Sequence, residues 1–299
     1  MVGASFGRLP RGATVMIIES RLRDVGGIAV RRLLPTARLR HVGPFVFFDH
    51  MGPIDLAPGQ GLDVPPHPHI GLATVTYLFE GEILHRDSLG TAQMIRAGDV
   101  NWMVAGRGIV HSERTPEGAR ALGGTMHGLQ TWVALPVADE EMAPLFEHHP
   151  MAALPLIRLA GAELRIVAGT AYGERAPTRV LSPTLYVHAR LAANAVLEVT
   201  EEHEERAVYV AAGAAELDGQ ALSAGTMAVL EPGARSHLRA TRATEAFLVG
   251  GAPLDTPRYI EWNFVSSSRE RIERAKGDWK GGRFPKVPGD EIEFVPLPG

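Results

Sequence analysis

PPHPHIG (residues 65–71) runs directly into LATVTYLFEG (residues 72–81), so two histidines stand one residue apart at the mouth of a good β-strand. Alternate residues of a strand project to one face. A strand that begins at the prolines therefore sends His67 and His69 the same way. Two imidazoles on an inward face make a costly core and half of a metal site. Taken alone, such a pair in a proline-rich stretch is more often a surface turn than a ligand pair, and the metal reading depends on finding further ligands.

The strand NWMVAGRGIVHSE (residues 101–113) ends in a second i, i+2 pair, His111 and Glu113. Where His111 faces inward, so does Glu113. Three imidazoles and one carboxylate suit a divalent first-row metal. Four protein ligands on an octahedral ion leave two positions open, and open positions bind substrate or dioxygen. Gly106 and Gly108, just upstream, allow the backbone to bend beside the metal. The remaining histidines of this half read differently: His50 and His127 as satisfied core residues, His85 as exposed beside a turn, and His148 and His149 as solvated loop.

The 299 residues can bury two cores. A net charge of -4 with scattered basic residues gives no electrostatic footprint for nucleic acid. The absence of cysteine removes disulfides, thiolate metal sites and Cys nucleophiles, and fits a reducing cytosol. The apolar run in MVGASFGRLPRGATVMIIE (residues 1–19) is too short for a signal sequence, and no segment has the ~20 apolar residues of a membrane span.

Short strands punctuated by Gly and Pro fall into two blocks. ATVTYLFEG (73–81), QMIRAGDVNWMVAG (93–106) and LQTWVALP (129–136) form the first. AELRIVAG (162–169), TLYVHARL (184–191), ERAVYVAAGAAEL (205–217), TMAVLEPG (226–233) and EAFLVGG (245–251) form the second. Such spacing implies an all-β protein of two tandem sandwiches or barrels. VADEEMAPLFEHHP (137–150) reads as the connector. The blocks share a rhythm of strand, Gly turn, polar return, "-AG-" turn and a closing strand with glycines and a histidine, which implies one fold used twice. The second block holds His188, His203 and His237, read as forming neither an HxH nor an HxE pair, so no metal is expected there. SSSRERIERAKGDWKGG (266–282) reads as one amphipathic helix, with Ser267 and Glu270 as a capping box and Ile272, Ala275 and Trp279 on one face.

GLDVPPHPH (61–69) with AGRGIVHSE (105–113) resembles the two cupin motifs, and the fuller text PFVFFDHMGP, PPHPHIGLATVTYLFEGEILHRDSLG and AGDVNWMVAGRGIVHSE closely resembles the pirin family of bicupins. The resemblance implies two cupin barrels (double-stranded β-helix or jelly roll) with a C-terminal helix: residues 1–136 a metal-binding cupin domain, 137–150 a linker, and 151–299 a cupin domain without metal. It implies one divalent metal per chain, Fe(II) first, with Zn, Mn, Ni, Co or Cu as alternatives, on His67, His69, His111 and Glu113. It also implies quercetin 2,3-dioxygenase-type cleavage of a flavonol-like small aromatic substrate by dioxygen, with Glu113 doubling as the base. The alternative is an iron-binding regulatory module that binds a partner protein without turnover. A cytoplasmic monomer that engages neither membrane nor nucleic acid fits either function. One position departs from the family pattern: the glutamate often found four residues after the second histidine is Ala73 here.

Overall fold

The computed structural model describes residues 16–25 and 28–298; the stretch read for a signal sequence lies largely outside them. Period-2 patterning dominates the chain, and the strands assemble into two barrels of one plan. In the first, a large antiparallel sheet runs in the order Leu145–His149, Val100–Val104, Leu72–Glu80, Gly124–Ala134, Phe45–Leu56, Ile28–Leu34, Arg21–Val25. It faces a smaller sheet ordered Asp63–His69, Ile109–Arg114, Glu82–Asp87, Ala92–Arg96. The second barrel repeats this scheme, with a small sheet of Val196–Val199, Ser236–Ala240, Ala214–Leu217 and Gln220–Ser223. The shared rhythm of the two blocks is thus a shared topology.

Alternation along each strand divides the apolar residues between the barrel interior and the contact between barrels. On Leu72–Glu80, Ala73, Val75 and Tyr77 join the inter-barrel core with Leu129, Val133, Tyr186, Tyr209 and Phe247. The residues between them face inward. The second barrel's interior is closed by Leu164, Ile166, Val187, Leu197, Leu217, Leu238 and their neighbours, an apolar fill.

The barrels are also laced together by exchanged segments. Met16–Glu19 pairs with Thr226–Leu230 in the second barrel's large sheet. Residues 137–150 turn through Val137–Asp139 and then form the strand Leu145–His149, paired with Val100–Val104. His148 and His149 therefore sit on a strand rather than in a solvated loop; His148 bonds Asn101 and His149 bonds Glu147. After the second barrel the chain returns to the first. Phe264 bridges Ile70 in parallel, and the helix Arg269–Lys280 buries Ile272 and Ala275 against Ile70 and Phe264. Its N-cap is Ser268, one residue later than the sequence pattern suggests, because Ser266 and Ser267 are occupied in bonding Glu140. The Ser268 hydroxyl accepts from the Arg271 N–H and meets the Glu270 carboxylate.

Two buried histidines belong to the inter-barrel contact. His50 Nδ1 lies 2.5 Å from the Tyr209 hydroxyl and its Nε2 lies 2.7 Å from His127 Nε2. His188 bonds Tyr77 at 3.0 Å and stacks on Phe247 at 4.6 Å. Burial pushes His50 and His188 each down to about 3. Both stay neutral in the folded protein, whereas the unfolded chain protonates them below about pH 6.5. Their stability contribution is therefore full above pH 6.5 and is lost as pH falls from there toward 3. Denaturant melts should lose about 1.4 kcal/mol per pH unit for each of these two imidazoles over that range, and His188→Gln should make the dependence shallower. Separately, Ile272→Ala should cost about 2–5 kcal/mol by leaving a cavity under the helix, read as a lowered denaturation midpoint.

Candidate metal centre

The small sheet of the first barrel brings the ligand-type residues together by register. His111 stands directly opposite His67, and Ile109 opposite His69. On its other side His111 pairs with Asp87 and Glu113 with His85. A bulge between His111 and Glu113 shifts the pairing with Asp63–His69 by one residue. Three strands thus each present an i, i+2 pair inward: His67 with His69, His111 with Glu113, and His85 with Asp87.

His67, His69 and His111 converge so that their ring nitrogens lie within 4.8 Å of one another. The rings are nearly enclosed, His67 at 7% exposure and the other two at 1%. Nδ1 of His67 meets the Pro65 carbonyl at 2.9 Å, and Nδ1 of His69 meets the Asn263 carbonyl at 3.1 Å. A carbonyl can only accept, so each Nδ1 must carry the proton and each Nε2 a lone pair. His69 Nε2 then faces His111 Nε2 at 3.1 Å. Burial pushes His67 down to about 4 and holds His69 and His111 well below the ordinary imidazole range, with the neighbouring imidazoles adding to the effect. Neutral imidazoles with convergent lone pairs are the donor set of a nitrogen-rich divalent metal site, and the residues fit such an ion.

Glu113 groups with His111 and His85 rather than with all three histidines. Burial raises its carboxyl; the neighbouring His85 imidazole and a 3.0 Å bond from the Thr76 hydroxyl act the other way. Thr76 also lies 2.8 Å from the Gln130 side chain. One row crosses the large sheet from Arg32 to Asp49, Gln130 and Thr76. Arg32 forks onto Asp49 at 2.8 and 2.7 Å and covers the Phe47 ring at 4.4 Å. Phe47 stacks on Trp132 at 4.0 Å, and Trp132 meets His69 edge-on at 5.2 Å. The interior beside the histidines is thus a flat aromatic wall along a polar row, with Arg32, Gln130 and Glu113 half-buried at its rim.

His85 departs from the sequence reading. It is buried, stacked on Phe146 at 4.4 Å and bonded to Asp87 at 3.2 Å. The signal was present in HRD (residues 85–87), a third i, i+2 pair of ligand-type residues, but the adjacent turn outweighed it. His50 and His127 lie in the inter-barrel contact, away from the ligand cluster. Ala73 faces that contact too, so its small side chain removes nothing from the ligand face. Gly106 and Gly108 serve close approach: a Cβ on Gly106 would fall 2.2 Å from the Met142 carbonyl, and one on Gly108 would fall 2.9 Å from the Phe284 ring. In the second barrel His203 and Glu205 do form an i, i+2 pair, but His203 meets the Thr170 carbonyl and Glu205 accepts from the Gly43 N–H. Among the described residues, both clusters able to hold a metal lie in the first barrel.

The chain matches the Pirin family model over residues 27–133 and the Pirin C-terminal cupin domain over residues 186–285. It is 49% identical to a "Pirin-like protein" of Caulobacter vibrioides, over 95% of this chain and 99% of that one. It is 38% identical to a Pseudomonas aeruginosa protein named "Putative quercetin 2,3-dioxygenase", over 94% of this chain and 90% of that one. Among solved structures, quercetin 2,3-dioxygenase from Acinetobacter baumannii superposes with a TM-score of 0.89 at 33% identity, covering 95% of each chain.

Metal analysis of protein purified without oxygen should give one tightly bound ion per chain. His111→Ala removes the imidazole at the centre of the cluster and should leave no stoichiometric metal.

Proposed function

Because this chain belongs to the pirin family of bicupins, we propose that it is a metal-dependent dioxygenase that opens the ring of a flavonol-like enol. His67, His69 and His111 hold the ion, and Glu113 serves as fourth ligand and base. Fe(II) is the first choice of ion, since nitrogen ligands with a single carboxylate suit it and dioxygen chemistry needs a redox metal. When bound, the ion supplies Lewis acidity toward an enol oxygen and a redox partner for dioxygen.

The observation that carries this reading is the juxtaposition of three neutral imidazoles with a half-buried carboxyl on the adjoining stretch of strand. Thr76 donates to Oε1 of Glu113 and leaves Oε2 to accept a proton from a substrate hydroxyl. Burial raises the basicity of this carboxylate, as a proton acceptor requires. Phe47 and Trp132 offer a flat apolar wall against which a planar aromatic substrate can lie, and Gln130 offers hydrogen bonds along its edge. The names carried by the relatives at 38% and 33% identity support the same substrate class.

Glu113→Gln keeps the shape and one neutral oxygen donor but removes charge and basicity. The metal-loaded variant should lose about 10²–10⁴-fold in flavonol turnover, measured by oxygen uptake with metal content determined in parallel. Wild-type protein holding full iron yet consuming no oxygen with any member of a flavonol panel would overturn the enzyme reading in favour of an iron-binding regulatory module.

A further inference from the structure

His85 and Asp87 belong to none of the roles above, yet both are buried to within 2% of full enclosure and both face the metal cluster. Asp87 is anchored first. Its Oδ1 accepts from the backbone N–H groups of Leu89 at 2.8 Å and Thr91 at 3.1 Å. Its Oδ2 lies 3.2 Å from His85 Nε2. The other nitrogen of His85, Nδ1, lies 3.4 Å from Nδ1 of His111, longer than an ideal N–H···N bond.

With His85 a neutral imidazole, the hydrogen-bonding capacities leave one arrangement. A carboxylate accepts only, so His85 carries its proton on Nε2 and presents a lone pair at Nδ1. That lone pair requires a proton on Nδ1 of His111, which leaves the His111 Nε2 lone pair directed at His67 and His69. We propose that His85 and Asp87 are positioning residues: an Asp–His pair that fixes the tautomer and ring orientation of His111, as the Pro65 and Asn263 carbonyls do for His67 and His69. The proposal rests on the metal reading above and adds to it. His111 is the one imidazole of the three whose Nδ1 meets a side chain instead of a backbone carbonyl. Its orientation is therefore the one that a side-chain substitution can release.

Asp87→Asn tests this with little change of shape. The amide oxygen can still accept from Leu89 and Thr91, which points the NH2 at His85 Nε2. Nε2 must then accept, His85 carries its proton on Nδ1, and His111 is pressed toward the tautomer whose Nε2 cannot ligate. Co(II) alone is the probe, with affinity measured by chelator competition and the visible spectrum followed in parallel. Asp87→Asn and His85→Phe should each weaken Co(II) binding about 10–100-fold, the usual cost of losing a partner behind a ligand. His85→Phe keeps the stack on Phe146 and so separates packing from hydrogen bonding. His85→Asn, which restores an acceptor near the Nδ1 position, should recover much of that loss. Wild-type affinity in both Asp87→Asn and His85→Phe would overturn the positioning role. Loss in His85→Phe as complete as in His111→Ala would overturn it in favour of direct ligation. Co(II) binding to wild type that is absent or insensitive to His67→Ala would remove the metal reading and this proposal together.

Discussion

A dry cluster of imidazoles is tolerable only when every ring nitrogen has a partner, and that requirement organises the first barrel. Burial in low dielectric disfavours the imidazolium form, so the three histidines present lone pairs rather than charge. The other nitrogen of each must then donate, and the fold supplies an acceptor for each from a different place: its own strand for His67, a segment beyond the second barrel for His69, and a neighbouring strand for His111. A ring held at both ends cannot swing out of the cluster. Glu113 is governed by the same low dielectric with the opposite sign, its carboxyl raised by burial and restrained by Thr76.

Much of this was legible in the sequence because β-structure has a period of two. Two i, i+2 pairs at strand ends pointed to one inward face, and register then set His67 opposite His111. The apolar second block gave a barrel closed by an apolar core. What escaped the sequence depended on partners distant along the chain. His85 looked exposed because a turn follows it, yet Phe146 arrives from 61 positions onward to cover it. Residues 145–149 looked like connector because their polarity is satisfied by pairing with Val100–Val104, which local composition does not reveal. Ser267 lost the N-cap to Ser268 because Glu140, from the inter-barrel segment, claims it. Each miss is a tertiary contact overriding a local preference.

The contact between the barrels combines an apolar core with a few embedded polar groups. Tyr77, Tyr209, His50 and His188 place hydroxyls and imidazoles in mutual contact across it. A wholly apolar interface of two twisted sheets could slide in register. Hydrogen bonds at fixed points select one arrangement, and the stacked rings of Phe79, Phe247 and His188 fill the space around them. The metal face and the interface lie on opposite sides of the same strands: Thr74 and Thr76 turn inward from residues whose neighbours Val75 and Tyr77 pack outward.

The carbonyl of Asn263 that orients His69 comes from a residue 194 positions further along the chain. A ribosome makes the ligand strands early and this carbonyl late, with the whole second barrel in between. The first barrel can collapse around its histidines while synthesis continues, but His69 stays free to rotate until the returning segment docks beside Ile70. Strand Met16–Glu19 waits in the same way for Thr226–Leu230. Completion of the histidine cluster is thus deferred until nearly the whole polypeptide exists. A nascent chain stalled before residue 263 carries all four candidate ligand side chains but lacks the carbonyl that orients His69.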